Sequence, residues 1–147
     1  MMRKRAFELA VAAAMLAALG GAAFAQADAI AARQAFMKSL QGKLAAVRGA
    51  DPAAAKQAAI DINSGFKALA TQFPPGSDSS AGKTRAKAEI WSDSAGFKTA
   101  VDRAISASGQ LVSAVNSGDA GQVTAAAGAV QQACAGCHGA YRGPPVQ

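Results

Sequence analysis

Apolar and small residues recur at alternating intervals of three and four along four stretches of the chain. Ile30, Arg33, Met37, Leu40, Leu44 and Val47 form one stripe, and Ala55, Ala59, Ile62, Phe66, Leu69 and Phe73 a second. Phe97, Val101, Ala104, Ser108, Leu111 and Val115 form a third, and Val123, Ala127, Val130, Cys134, Cys137 and Tyr141 a fourth. Such a rhythm keeps one face of a helix turned toward its neighbours. Alanine is abundant and β-branched runs are absent, which favours helix over strand. The pattern predicts an all-α, antiparallel, up-down-up-down four-helix bundle.

The polar punctuation agrees. Gly49-Ala50-Asp51-Pro52 reads as a short link in which Asp51 caps a helix and Pro52 opens it. Asn116-Ser117-Gly118-Asp119 reads as another, with Gly118 free to take positive φ, Asp119 as cap and Gln122 completing a capping box. The middle connection is longer. Phe73-Pro74-Pro75-Gly76 opens a stretch rich in Gly, Ser and Lys that runs to about Asp93, long enough to cross an end of the bundle between helices 2 and 3. Many stripe positions are alanine, so the core is thin, and small facing side chains leave room for a large, flat, apolar filler.

The N-terminus carries a different signal. Arg3, Lys4 and Arg5 precede an apolar run from Leu9 to Leu19, and Ala23-Phe24-Ala25 is a small-x-small site. That combination predicts a leader over residues 1–25, cleaved after Ala25, and export to the periplasm. The run is shorter than the roughly 20 residues a spanning helix needs. An uncleaved anchor is the competing reading, and no stable membrane insertion is expected. Residues 26–147 then form one domain.

The chain of 147 residues has a formal charge of +6. Arg3, Lys4, Arg5 and Glu8 leave with the leader, so twelve Lys and Arg face eight Asp and Glu, a net +4. Lys38, Lys43, Lys56, Lys67, Lys98 and Arg103 are scattered, with a looser group at Lys83, Arg85 and Lys87. A nucleic-acid footprint would cluster them on one face among aromatics, so no nucleic-acid partner is expected. Met37 is the only methionine after residue 25, and His138 is the only histidine of the chain. Mechanisms needing two histidines are excluded by count.

The chemistry concentrates in Cys134-Ala135-Gly136-Cys137-His138. This is C-x-x-C-H, the attachment sequence of c-type haem. On a helix, positions three and four apart share a face, so both thiols reach one edge of a porphyrin and His138 turns toward the iron. A redox dithiol expects a βαβ setting, and a zinc site lacks ligands with only two Cys and one His. A plain disulfide in an oxidising compartment is the simplest competitor.

Several segments together resemble the cytochrome c′ family, across nearly all of residues 26–147. Arg33-Gln34-Ala35-Phe36-Met37 resembles its R-Q-x-x-M segment. Phe73-Pro74 and Thr84-Arg85-Ala86-Lys87-Ala88-Glu89-Ile90-Trp91 resemble its F-P and T-x-A-K-x-x-I-W stretches, with Ala88 where proline is frequent. Cys134 to Arg142 resembles C-x-x-C-H-x-x-Y-R. The resemblance implies one covalently attached haem c, bound through Cys134 and Cys137, with His138 ligating the iron. It implies Arg33 at a haem propionate, against the plainer reading of an arginine snorkelling to water. It implies Arg142 beside the proximal imidazole, against an arginine that satisfies helix carbonyls. Homodimers through the early helices are common in the family.

Met37 lies one turn from Arg33 and decides between two functions. With its sulfur on the iron, the centre is six-coordinate and low-spin, suited to electron transfer. If Met37 only packs, an open site binds NO or CO. Family members of both kinds carry Met here. The expected function is a periplasmic one-electron carrier, with NO or CO binding as the alternative. Catalysis is not expected, because the single histidine is committed to iron and no nucleophile–base pair is evident.

Overall fold

The computed structural model describes residues 2–81 and 84–145; of residues 2–24 it describes the helical backbone and no side chains. The leader predicted over residues 1–25 therefore lies outside the described residues, apart from Ala25 and the backbone helix. Lys83 and the terminal Val146 and Gln147 lie outside them too. The helices are α1 (Met2–Val47), α2 (Pro52–Leu69), the short α3 (Glu89–Ser92), α4 (Ser94–Ser117) and α5 (Ala120–Tyr141), with a 3-10 turn at Ser79–Ala81. No strand occurs among the described residues, only one isolated antiparallel bridge between Ala86 and Arg142. No helix among them is long and apolar enough to cross a membrane.

The four long helices form a four-helix bundle in which α1 packs on α2, α2 on α4 and α4 on α5, while α1 and α5 meet only sparsely. The links work as their residues dictate. Asp51 accepts hydrogen bonds from the backbone N–H groups of Ala53 (2.9 Å) and Ala54 (3.3 Å), with Pro52 opening α2. Gly118 closes α4 at φ +74°, a left-handed conformation that favours glycine. Asp119 caps α5 by accepting from Gln122 N at 3.0 Å. The Gln122 side chain donates to that same carboxylate (3.3 Å), and the Asp119 N–H goes to Ser117 Oγ. The reciprocal backbone contact of a capping box is thus replaced by a carboxylate contact.

Every predicted stripe position of α4, and those of α2 from Ala55 to Leu69, is buried. Phe73, which fits both the second stripe and the opening of the crossover, lies in the crossover, and helix α2 ends at Leu69. The cause is local: Pro74 disfavours helical backbone at the residue before it. Asn63 of α2 adds a polar tie to α4, donating to Ile105 O (3.0 Å) and Ser108 Oγ (2.9 Å).

Candidate functional site

The last two turns of α5 carry Cys134, Cys137 and His138, all half-buried, with both thiols free. They open on a cavity of about 600 Å3 between α1, α5 and the crossover. Arg33, Met37 and Lys38 face it from α1, Leu69 from α2, Phe73, Thr84 and Arg85 from the crossover, Phe97 from α4 and Arg142 from beyond α5. All six residues singled out by sequence, Arg33, Met37, Cys134, Cys137, His138 and Arg142, therefore meet at one cavity. It exists because α1 and α5 do not close on each other. A separate recess of about 20 Å3 adjoins Met37, Phe66, Leu69, Val101, Cys137 and His138.

Aromatic rings build one wall. Phe73, Phe97 and Tyr141 stack edge-on in sequence, with centroids 4.8 and 5.3 Å apart. Trp91 Nε1 donates to Phe73 O at 3.1 Å and holds the first ring. Tyr141 Oη donates to Asp93 Oδ2 at 2.8 Å, and Asp93 also caps α4 through Gly96 N (3.1 Å). A side chain at Gly96 would collide with both partners, so glycine keeps this contact open.

The crossover also closes the free end of α5. Lys87 N donates to Tyr141 O (3.1 Å), Gly143 N to Arg85 O (2.7 Å) and Lys87 Nζ to Ala140 O (2.9 Å). Arg85 Nε donates to the carbonyls of Gly143 (2.8 Å) and Pro144 (3.0 Å). The orphan carbonyls of the helix end thus find donors in the crossover.

Arg33 is buried, and its guanidinium anchors the crossover. Nη1 donates to Gln72 O and Ser77 Oγ, each at 2.9 Å, and Nη2 donates to Ser77 O and to Thr84 Oγ1 (2.8 Å). Its carbon Cζ lies 4.6 Å from the centroid of the Phe73 ring, within cation–π range. Arg33 does not snorkel to water. It meets no carboxylate among the described residues, and burial lowers its pKa. This anchoring role was missed by sequence reasoning. The polar Gln72, Ser77 and Thr84 occupy no periodic position, so nothing in the pattern ties them to residue 33.

The electrostatics favour an anionic guest at the mouth and a neutral imidazole inside. Arg33, Lys38, Arg85 and Arg142 line the cavity, and among the described residues no Asp or Glu does. Burial lowers the His138 pKa, and the charges of Arg142 and Arg85 lower it further, so the ring keeps its lone pair at neutral pH. Burial raises both thiol pKa values, with Cys134 adding to the effect at Cys137. Among the described residues no group of three or more His, Cys, Asp and Glu gathers, so a protein-only zinc centre has no ligand set there.

The family model described as Cytochrome C' matches residues 28–142. The chain belongs to the cytochrome c′ family. Cytochrome c′ of Rubrivivax gelatinosus is 41% identical over 105 residues, covering 69% of this chain and 81% of the relative. The solved structure of the R. gelatinosus protein superposes with a TM-score of 0.72 at 33% identity, covering 80% of this chain and 96% of that one. A nitric oxide complex of a leucine-to-alanine mutant of cytochrome c prime from Alcaligenes xylosoxidans gives 0.72 at 27% identity, over 82% and 97% of the two chains. A cytochrome c′ described as having ligand-controlled dimer dissociation gives 0.73 at 25% identity, over 81% and 97%. Cytochromes c′ bind haem c, and this cavity fits that group. Its volume lies in the cofactor range of about 300–1,000 Å3, its walls are mostly apolar, and thiol, imidazole and thioether donors line one space.

Proposed function

We propose that the protein is exported to the periplasm, holds one haem c covalently through Cys134 and Cys137 with His138 as its protein ligand, and serves as a one-electron carrier. One observation carries the reading: both thiols, the only imidazole and the thioether of Met37 open on the same apolar-walled cavity. When bound, haem c supplies an iron that exchanges one electron between ferrous and ferric states. Cys134 and Cys137, three apart on one helix face, would hold the group to the last helix. His138 offers a neutral nitrogen, Met37 a sulfur from α1, and the walls of Leu40, Leu69 and Phe97 exclude water. Arg33, already bonded to the crossover, would meet a propionate with positive charge, and Arg142 would sit beside the imidazole whose pKa it lowers. We assign no catalytic role, because the one histidine is committed to ligation.

A second reading, NO or CO bound at a vacant position beside Met37, is favoured by the small apolar recess next to Met37 and His138 and by the nitric oxide complex of the A. xylosoxidans relative. Copies of the chain are proposed to pair through α1 and α2. Ile60, on the outer side of α2, is 47% exposed, and the relative with ligand-controlled dimer dissociation supports pairing. The test uses protein made in a host that matures c-type cytochromes. A low-spin spectrum that turns high-spin in Met37→Ala supports the carrier. A high-spin spectrum in the unmodified protein, with ready CO and NO uptake, supports the second reading. Haem that survives acid-acetone extraction after Cys134→Ala and Cys137→Ala overturns the thioether assignment.

A further inference from the structure

The mouth of the cavity carries positive charge that the protein does not neutralise. Lys38, Arg85 and Arg142 line it, the first and last exposed and Arg85 half-exposed. Among the described residues none of the three pairs with a carboxylate. Six acidic side chains are engaged elsewhere. Asp61 pairs with Lys43, Glu89 with Lys87 and Asp102 with Lys98, while Asp93 holds Tyr141. Asp51 and Asp119 cap helices. Arg85 uses Nε on two carbonyls, and its terminal nitrogens have no hydrogen-bond partner among the described residues. Buried Arg33 adds a fourth cation behind the rim, so a bound group bearing a pair of carboxylates leaves a surplus.

We infer that this rim is a docking surface for the acidic face of a protein redox partner; the inference rests on the carrier reading above. Uncompensated charge around one opening steers an oppositely charged surface and fixes its orientation over the cavity. Three cations suit the small, transient contact of an electron-transfer encounter. They fall short of the clusters of about four to eight Lys and Arg that hold anionic lipid.

The test uses the reduced holoprotein and two oxidants of opposite charge, ferricyanide and tris(phenanthroline)cobalt(III). Salt is raised until the Debye length falls from about 30 Å to about 3 Å. The ferricyanide rate is expected to fall about tenfold while the cobalt rate rises. The double variant Lys38→Glu and Arg142→Glu should abolish or reverse both trends. Lys98→Glu, an exposed position on α4 outside the cavity lining, is expected to leave the slopes in place. Equal effects at Lys98 and Lys38 would make the response one of net charge and overturn the docking surface. In a second arm, amide shifts of the labelled holoprotein are followed against a short polyglutamate peptide and against phosphatidylcholine–phosphatidylglycerol vesicles. Shifts gathered around Lys38, Arg85 and Arg142 on adding the peptide support the inference. Vesicle binding with no response to the peptide makes lipid the partner and overturns it, as do shifts spread over the whole surface. A haem spectrum that is intact but inert to both oxidants removes the carrier reading, and the docking surface with it.

Discussion

The two ends of this bundle are held together by different physics. Where α1 and α4 finish and α2 and α5 begin, Leu44, Val47, Ala55, Leu111, Val115 and Ala127 interlock as a periodic apolar core. At the other end, Phe73, Ala86, Ile90, Phe97 and Tyr141 make a smaller cluster, and much of the work passes to directional contacts. Arg33 grips the crossover, Trp91 holds Phe73, and Arg85 and Lys87 close the end of α5. Dense packing fills space, whereas hydrogen bonds to backbone carbonyls fix position while leaving space open. The second kind of construction leaves room for the cavity of about 600 Å3.

Substitutions can break that contrast or sharpen it. The largest effect is expected at the packed end. Leu111, fully buried, should cost about 3 kcal/mol when changed to Ala, and helix and side-chain probes should lose structure at one common temperature. Arg33→Leu should cost about 2 kcal/mol by leaving carbonyl and hydroxyl acceptors unmet. Its signature is local: amide exchange should quicken across residues 72–87 and stay slow in α2 and α4. Uniform acceleration through the bundle would erase the distinction between the ends.

Gly65→Ala probes the junction. A Cβ there would overlap the Phe36 ring, which packs edge-on against Phe66 with centroids 5.2 Å apart. The ring must swing away, at about 1 kcal/mol, and a thermal melt unchanged from the parent protein would show that α1 yields freely. The smallest effect belongs to Asp119. The N–H groups of Gln122 and Gly121 hold its carboxyl below the usual carboxylate range. Its contribution is therefore full above that range and fades as pH falls through the lowered value. Melting temperatures of Asp119→Ala and the parent should differ at neutral pH and converge in acid.

The packed end was legible in the sequence because burial there follows helical spacing: Leu44, Ala55, Leu111 and Val115 all lie on the inward faces that the threes and fours assigned. The chemistry was legible for another reason. Cys134, Cys137 and His138 form a contiguous motif whose spacing has few other uses. The contacts of the crossover were not legible. Arg33 reaches Ser77 and Thr84 across 44 and 51 residues, and no period links such positions. Phe73 fitted both the second stripe and the opening of the crossover, and Pro74 beside it held the signal that proved right. Gly65 and Gly96 matter only through the rings and carboxylate that approach them, which single-residue reading does not reveal.

The weak meeting of α1 with α5 has a thermodynamic consequence. Two faces that barely touch gain little by staying together, so whatever occupies the gap between them becomes their adhesive. Binding energy then adds to folding energy by mass action. The melting temperature should track occupancy, and in the emptied chain the first helix should be the one that peels away.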